Sequence, residues 1–168
     1  MPVFGLAMPE ETARIAELRN AAGEKLTREF GRGHWSHPVT SEKIAEGMEK
    51  SRVYVLRERQ RVVGTLRLHL KKPSEYDRPW FTHVRRPLFL YDMAVDPVRQ
   101  RRGFGRACIE GAIRVARAWP ADAIRLDAYQ APAGAGPFYS KCGYTHVGGA
   151  TYRGVPLLYF ELMTGAGQ

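Results

Sequence analysis

Seven consecutive residues near the middle of the chain have the composition of a loop that binds an anion. They are Gln100, Arg101, Arg102, Gly103, Phe104, Gly105 and Arg106. Glycine lets a phosphate approach the main chain closely, and arginine side chains donate charge-assisted hydrogen bonds to phosphate oxygens. The segment lacks the lysine and hydroxyl residue of a P-loop, and it is too short for a dinucleotide fingerprint. It therefore predicts a phosphate site of another kind or, alternatively, a solvated turn rich in glycine and arginine.

A strand before this loop and a helix after it would hold it in position. The mostly apolar sequence LFLYDMAV over 88–95 predicts a strand, which ends at Asp96 and Pro97 because proline donates no ladder hydrogen bond. After the loop, five residues recur at helical spacing before Pro120: Phe104, Cys108, Gly111, Val115 and Ala118. The first amides of a helix have no carbonyl partner one turn back, and the helix dipole favours negative charge there. The pattern therefore predicts that backbone N–H groups of the loop face the anion.

The rest of the chain predicts further strands and helices around this central segment. Strands are expected over 3–7, 53–56, 62–70, 123–128, 144–147 and 156–162. Helices are expected to begin near Pro9 and after Thr40, and a short helix over 138–142 is closed by Gly143. Turns are expected at 58–60 and, between the last two strands, at Gly148-Gly149 and Tyr152-Arg153-Gly154. This order predicts an α/β domain with a mixed, mostly antiparallel sheet of about seven strands flanked by about four helices. We expect a single domain over 1–163 and a frayed tail over 164–168.

Composition limits the classes of protein to which the chain can belong. It has 168 residues, of which 44% are hydrophobic and 26% charged, as in ordinary globular domains. Its only cysteines, Cys108 and Cys142, predict reduced core residues, and no metal site is expected. No apolar run is long enough for a membrane span and no leader is evident, so we expect a cytoplasmic protein without membrane contact. The net charge of +9 is scattered along the chain, which gives little support for nucleic-acid binding.

A second motif makes a family resemblance specific. Its residues are Phe138, Tyr139, Ser140, Lys141, Cys142, Gly143 and Tyr144. Together with the strand ending in Met93, Ala94 and Val95 and the Gln/Arg-x-x-Gly-x-Gly loop, it resembles the GNAT family of N-acetyltransferases. The order of predicted elements also fits the GNAT-like acyl-CoA N-acyltransferase fold. The resemblance implies acetyl-CoA as co-substrate, its pyrophosphate on the amides and arginines of 100–106 and its pantetheine arm along the main chain of 93–95.

The same resemblance implies catalytic roles for three side chains. A tyrosine at the position of Tyr139 serves in many relatives as the acid that protonates the leaving thiolate; the alternative is that Tyr139 only packs and contacts the sulfur. Two carboxylates are candidates for the base that deprotonates the incoming ammonium. Asp127, at the end of its strand, is the first candidate, and Asp92, placed by strand alternation on the face opposite Met93, is the second. The alternative for each acid is an ion pair with a nearby arginine.

The acceptor is the least constrained part of the prediction. The resemblance places the acceptor channel near residues that include His34, Trp35, His37, Trp80, Phe81, His83, Tyr152 and Arg153. We expect transfer to the primary amine of a small molecule by direct attack in a ternary complex. Acetylation of a protein N-terminus or lysine is the alternative within enzymes, and a non-catalytic acyl-CoA-binding regulatory module is the alternative outside them. The edge strands near the C-terminus leave a homodimer open.

Overall fold

The computed structural model describes residues 1–72, 76 and 79–165. Within this part of the chain there are seven β-strands and four α-helices. The strands are β1 (Val3–Leu6), β2 (Arg52–Glu58), β3 (Arg61–His69), β4 (Pro87–Val95), β5 (Ala123–Tyr129), β6 (Thr145–Tyr152) and β7 (Val155–Met163). The helices are α1 (Thr12–Phe30), α2 (Ser41–Lys50), α3 (Phe104–Ala118) and α4 (Gly136–Lys141). Their order along the chain is the predicted one, and the predicted fold class is confirmed.

The sheet is mixed and mostly antiparallel. Its strand order is β1-β2-β3-β4-β5-β7-β6. The pairs β1/β2, β2/β3, β5/β7 and β6/β7 are antiparallel, whereas β4 and β5 run parallel over Pro87–Phe89 and Ala123–Arg125. By density of internal contacts the chain forms two compact units, Met1–Leu68 with Tyr91–Gly111, and His69–Leu90 with Ala112–Gln168. We describe the two units separately.

The first unit has a core between its two helices and the neighbouring strands. Buried residues from α1, α2, β2 and β3 form one cluster: Ile15, Ala16, Leu18, Ile44, Val53, Val55 and Val62. Hydrogen bonds fix the turn that leads into α1 and the start of α2. The backbone N–H of Met8 donates to Glu11 Oε2 (2.8 Å), and the Thr40 hydroxyl caps α2 by accepting from the backbone N–H of Lys43 (3.2 Å).

The second unit contains a cluster of aromatic residues from β7 and from the segment before β4. Tyr159 is fully buried, and it lies 5.2 Å from Tyr76 and 5.4 Å from Trp80, measured between ring centroids. A carbon added at Gly148 of β6 would lie 2.1 Å from the Trp80 ring. The ring therefore packs directly on the main chain of β6, which continues through the position where the sequence predicts a turn.

The buried face of α3 and the start of the C-terminal tail also differ from expectation. The buried residues in the second half of α3 are Ala112 and Ala116, while the predicted Ala118 is exposed. Thr164, placed in the tail by the sequence, is buried, and its backbone N–H donates to the carbonyl of Asp122 (3.0 Å). Residues 166–168 of the predicted tail lie outside the described residues. The prediction of one domain over 1–163 stays a prediction. Of the described helices, none is long and apolar enough to cross a membrane.

Candidate active site

The predicted anion loop joins β4 to α3 in the first unit. Gly103, just before the helix, has φ +84°, and a carbon added to it would meet nothing within 4 Å. The backbone N–H of Ala107 donates to the Gly103 carbonyl (3.0 Å). The amides of Phe104 and Gly105 lie before this hydrogen bond, in the first turn of α3. The main chain here is open to a ligand, and the dipole of α3 gives this end a partial positive charge.

Side chains of the loop divide between those that fix it and those at its surface. Gln100 Nε2 donates to the Val95 carbonyl (3.3 Å), and Gln100 Oε1 accepts from Lys25 Nζ (2.8 Å). The side chain of Gln100 is therefore engaged within the protein. In contrast, the side chains of Arg101, Arg102 and Arg106 are exposed. Three cations at the surface next to an open helix start favour a polyanionic group such as a pyrophosphate.

Asp96 positions the loop and was not among the predicted site residues. It is 7% exposed, its Oδ1 accepts from the backbone N–H of Val98 (3.2 Å), and its Oδ2 accepts from Arg14 Nη2 (2.5 Å). Its own N–H donates to the Val63 carbonyl (2.9 Å), while Arg14 Nε donates to that of Val62 (3.1 Å). Asp96 thus ties the start of the loop to β3 through its backbone N–H and to α1 through its carboxylate. An aspartate before proline at a strand end is the sequence signal that could have indicated this role.

Asp92 lies within β4 but has an irregular backbone conformation. Its φ of +54° is unusual for a residue with a side chain, so the regular alternation assumed in the sequence analysis does not continue through it. Asp92 Oδ1 lies 3.3 Å from Arg19 Nη2, and Oδ2 lies 3.5 Å from Arg67 Nε. Both distances exceed those of a good charge-assisted hydrogen bond, about 2.7–2.9 Å. The predicted alternative, an ion pair with arginine, is therefore present, but the pairs are loose.

A cavity of about 190 Å³ opens beside Asp92 within the first unit. It is lined by Ile15, Arg19, Val39, Lys43, Ile44, Gly47, Val53, Thr65, Leu66, Arg67 and Asp92, and we call it the Asp92 pocket. Three of these side chains are cationic and one is anionic. Lys43 also pairs with Glu46 (3.1 Å) at the exposed surface of α2. The pocket therefore combines a mostly apolar wall with Asp92 and two arginines.

Met93, Ala94 and Val95 follow Asp92 in the first unit. Val95 is buried at 9% exposure, while Met93 and Ala94 are partly buried. Val95 accepts the hydrogen bond from Gln100 described above, which brings the end of β4 and the start of the loop together. The structure thus groups Asp92, the 93–95 main chain and the anion loop in one compact unit.

The other predicted acid, Asp127, lies in the second unit in a different environment. Its Oδ2 accepts a hydrogen bond of 2.6 Å from the hydroxyl of Tyr76. Tyr76 is 3% exposed and stacks on Phe81 at 5.5 Å between ring centroids. Next to it on β5, Arg125 Nε donates to Glu161 Oε2 (3.1 Å). Asp127 is therefore part of a packed polar and aromatic layer, in which it accepts a hydrogen bond from a phenol.

Tyr139 lies on α4, also in the second unit, and is 7% exposed. Its ring is 5.7 Å from that of Tyr144 and 6.1 Å from that of Phe160. The helix ends as predicted, because Gly143 adopts φ +96°, a conformation that glycine tolerates best. Burial, followed by the charges of Tyr139 and Cys142, raises the pKa of Tyr144. The Tyr144 hydroxyl has no hydrogen-bond partner in the described part of the chain, so it is a packing group.

The aromatic residues considered for the acceptor channel are distributed over both units. Trp35 and His37 line a second hollow of about 370 Å³ against α1, separate from the Asp92 pocket. The Trp35 Nε1–H donates to the Gly31 carbonyl (3.0 Å). In the second unit Phe81 lies 4.7 Å from the Arg125 guanidinium, ring centroid to Cζ. These contacts give Trp35 and Phe81 structural roles.

Comparison with known proteins agrees with this architecture. A family model described as the Acetyltransferase (GNAT) family matches residues 16–144. The chain belongs to this family, so the predicted family and the predicted class of enzyme, an acetyltransferase, are confirmed. A search of curated proteins found no match to this sequence.

Three similar solved structures illustrate the fold. A GNAT-family acetyltransferase from Streptococcus agalactiae is 17% identical with a TM-score of 0.75, over 96% of this chain and 95% of that one. The ribosomal-protein-S18-alanine N-acetyltransferase of Escherichia coli is 15% identical with a TM-score of 0.71, over 98% of this chain and 94% of that one. The protein yncA of Salmonella typhimurium, solved with its cofactor acetyl-CoA, is 16% identical with a TM-score of 0.68, over 97% of this chain and 94% of that one. At these identities the similarity shows the fold alone.

Proposed function

We propose that this GNAT-family protein transfers the acetyl group of acetyl-CoA to the primary amine of a small molecule. The amine nitrogen forms a bond to the thioester carbonyl carbon, the carbon–sulfur bond breaks, and the amine loses a proton while the thiolate gains one. The Asp92 pocket carries the small-molecule part of this proposal. Its volume of about 190 Å³ exceeds that of an engineered cavity of about 150 Å³ that binds benzene, so it suits a small amine better than a folded protein surface.

The residues present fit a coenzyme A pyrophosphate at the start of α3. The open space at Gly103 and the helix amides at Phe104 and Gly105 would hold the phosphates, and Arg101, Arg102 and Arg106 would neutralise their charge. Gln100 would contribute mainly by fixing the loop to Val95. The bound acetyl-CoA supplies the activated thioester.

The main chain of Met93, Ala94 and Val95 is proposed to hold the pantetheine arm as an added half-strand. An amide of Met93 or Val95 would polarise the thioester carbonyl. One oriented donor of this kind contributes about 3 kcal/mol to transition-state stabilisation.

Tyr139 is proposed as the acid that protonates the leaving thiolate, since a phenol remains protonated at neutral pH. For the base, two observations support Asp92 over Asp127. Asp127 already accepts a short hydrogen bond from Tyr76, whereas Asp92 lines the pocket proposed for the amine. Asp92 is therefore proposed as the group that accepts the proton of the incoming ammonium, and Asp127 is the second candidate.

Two measurements test the proposal. Release of free thiol from acetyl-CoA is followed with a panel of small amines, with peptides bearing free N-termini, and without acceptor. Small amines are expected to give turnover above the peptides; turnover with the peptides alone would favour the protein N-terminal alternative, which two similar structures named ribosomal-protein-alanine N-acetyltransferases illustrate. Binding of acetyl-CoA in calorimetry with no acetylated product from any acceptor would favour the non-catalytic module.

The role of Tyr139 is tested with a matched pair of variants. Tyr139→Phe is expected to lower kcat by about 100-fold or more. Tyr144→Phe removes a neighbouring buried hydroxyl that has no partner among the described residues, and it is expected to leave kcat unchanged. Equal kcat values for Tyr139→Phe and the unmodified protein across pH 6–9 would rule out the acid assignment.

A further inference from the structure

We infer that the amine acceptor carries a carboxylate, held by Arg19 and Arg67 in the Asp92 pocket, as in a free amino acid with a small apolar side chain. This rests on the proposed function, because it assigns the acceptor of that same transfer.

Arg67 occupies a position that favours ligand binding and that is unfavourable for the stability of its surroundings. Its Nε is buried without a hydrogen-bond partner among the described residues and lies 3.5 Å from Asp92 Oδ2. A carbon added at Gly47 would come within 3.1 Å of Arg67 Nη1, so the missing side chain in α2 leaves room for the guanidinium. Glycine inside a helix destabilises it relative to alanine. The guanidinium also lies 5.0 Å from the Tyr91 ring centroid, which orients its plane.

The charges of the pocket are not balanced. Arg19 and Arg67 share one carboxylate, that of Asp92, at 3.3 Å and 3.5 Å. Lys43 has its own partner in Glu46. One positive charge therefore lacks an equivalent acid among the lining residues, and a ligand carboxylate would supply it while replacing loose ion pairs with bidentate hydrogen bonds.

The remaining polar group of the pocket suits an amine. A ligand that places its carboxylate on the guanidinium groups presents its amino group to Asp92 if the two groups are close together, as in an α-amino acid. The rest of the wall is mainly apolar and includes Ile15, Val39, Ile44, Val53 and Leu66. An apolar wall favours a short hydrocarbon side chain over a charged one. Asp92 immediately precedes Met93, whose main chain is proposed to hold the thioester, so an amine at Asp92 lies next to the reacting carbonyl.

The test compares acceptors that differ only in the carboxylate. L-alanine, L-valine and L-leucine are each paired with their carboxamides, and kcat/KM is measured by thiol release at saturating acetyl-CoA. We expect the acids to be preferred by at least about 10-fold, which corresponds to one charged hydrogen-bonding contact. The amide has the less basic amine and hence more of the reactive neutral form, so this difference works against the expected result. Equal or better turnover of the carboxamides would overturn the inference and leave the proposed function intact.

Variants link this preference to the two arginines. Arg67→Gln and Arg19→Gln are each expected to raise KM for the acids by about 10-fold and to leave KM for the carboxamides unchanged. Arg114→Gln removes the same charge from an exposed position on α3 and serves as the control. A similar rise in KM for both members of a pair would show a merely structural role and contradict the inference. Calorimetry of the same pairs reports the preference without turnover: weaker binding of the acids than of the amides would likewise refute it, even if no amine were acetylated.

Discussion

Replacing Asp96 by asparagine is expected to weaken both the fold and the binding of acetyl-CoA. Asparagine keeps an oxygen for the Val98 N–H but removes the charge that faces Arg14 Nη2 at 2.5 Å. The two side chains are only 10% and 20% exposed, and breaking a buried pair costs about 3–5 kcal/mol. Arg14 retains the Val62 carbonyl and lies 3.3 Å from Glu17, so we expect a loss nearer to ~2 kcal/mol.

Urea unfolding measures the stability part. With a slope of about 2 kcal/mol per M, the loss corresponds to a midpoint about 1 M lower than that of the unmodified protein. Arg14→Met and the double variant complete a cycle. Because the two residues contact each other, the double variant is expected to lose less than the sum of the single losses, by about 1–2 kcal/mol.

The functional part follows from the location of Asp96 at the start of the anion loop. KM for acetyl-CoA is expected to rise several-fold while KM for the amine changes little, because the Asp96 carboxylate fixes the start of the loop to Arg14 of α1. A midpoint within 0.2 M of the original, or additive losses in the cycle, would refute the energetic reasoning. An unchanged KM for acetyl-CoA despite lost stability would refute the link between this carboxylate and the loop.

Three further predictions concern stability and reactivity. Burial raises the pKa of the Cys108 thiol to about 12, so Ellman's reagent at pH 8 should modify only the partly exposed Cys142 until urea is added, and Cys142→Ser should abolish the fast reaction. The hydrogen bond from Arg57 lowers the pKa of Glu11, so this pair stabilises the fold at neutral pH and its contribution is lost as pH falls. The unfolding free energy should therefore drop as pH falls below 4.5, the ordinary pKa of glutamate, and Glu11→Gln should flatten that drop. Tyr144→Phe should raise the unfolding free energy by about 1 kcal/mol, since the hydroxyl is buried and has no partner in the described part of the chain, and a destabilised variant would indicate an unrecognised bond.

Periodicity was sufficient to predict the elements but not where each ends or which way it faces. In α3 the spacing of five residues gave the helix correctly, yet the later buried positions are Ala112 and Ala116. Alanine carries too weak a hydrophobic signal to define a face against Val115. In β6, Gly148 indicated a turn because glycine is common in turns. It lies within a strand because the Trp80 ring, distant in sequence, occupies the space of a side chain.

The site was predictable where it depends on local sequence and not where it depends on tertiary contacts. The anion loop has a local signature, since glycine, arginine and a helix start are adjacent in the chain. The hydrogen bond from Tyr76 to Asp127 spans 51 positions, and the pairing of Arg14 with Asp96 spans 82. No periodic pattern specifies such pairs. The positive φ of Asp92 was equally hidden, because aspartate in a strand normally predicts nothing more than an exposed position.

The five residues from Asp92 to Asp96 connect two tasks that can be separated experimentally. At one end, the positive φ of Asp92 takes its carboxylate out of the strand pattern and into the wall of the pocket. At the other end, Asp96 ties the anion loop to β3 and α1. If the acceptor and acetyl-CoA meet along this segment, substitutions at its two ends should each affect the binding of a different substrate. Asp92→Asn should raise KM for the amine, and Asp96→Asn should raise KM for acetyl-CoA. A variant at either end that raises both KM values equally would show that the two ends of the segment do not serve different substrates.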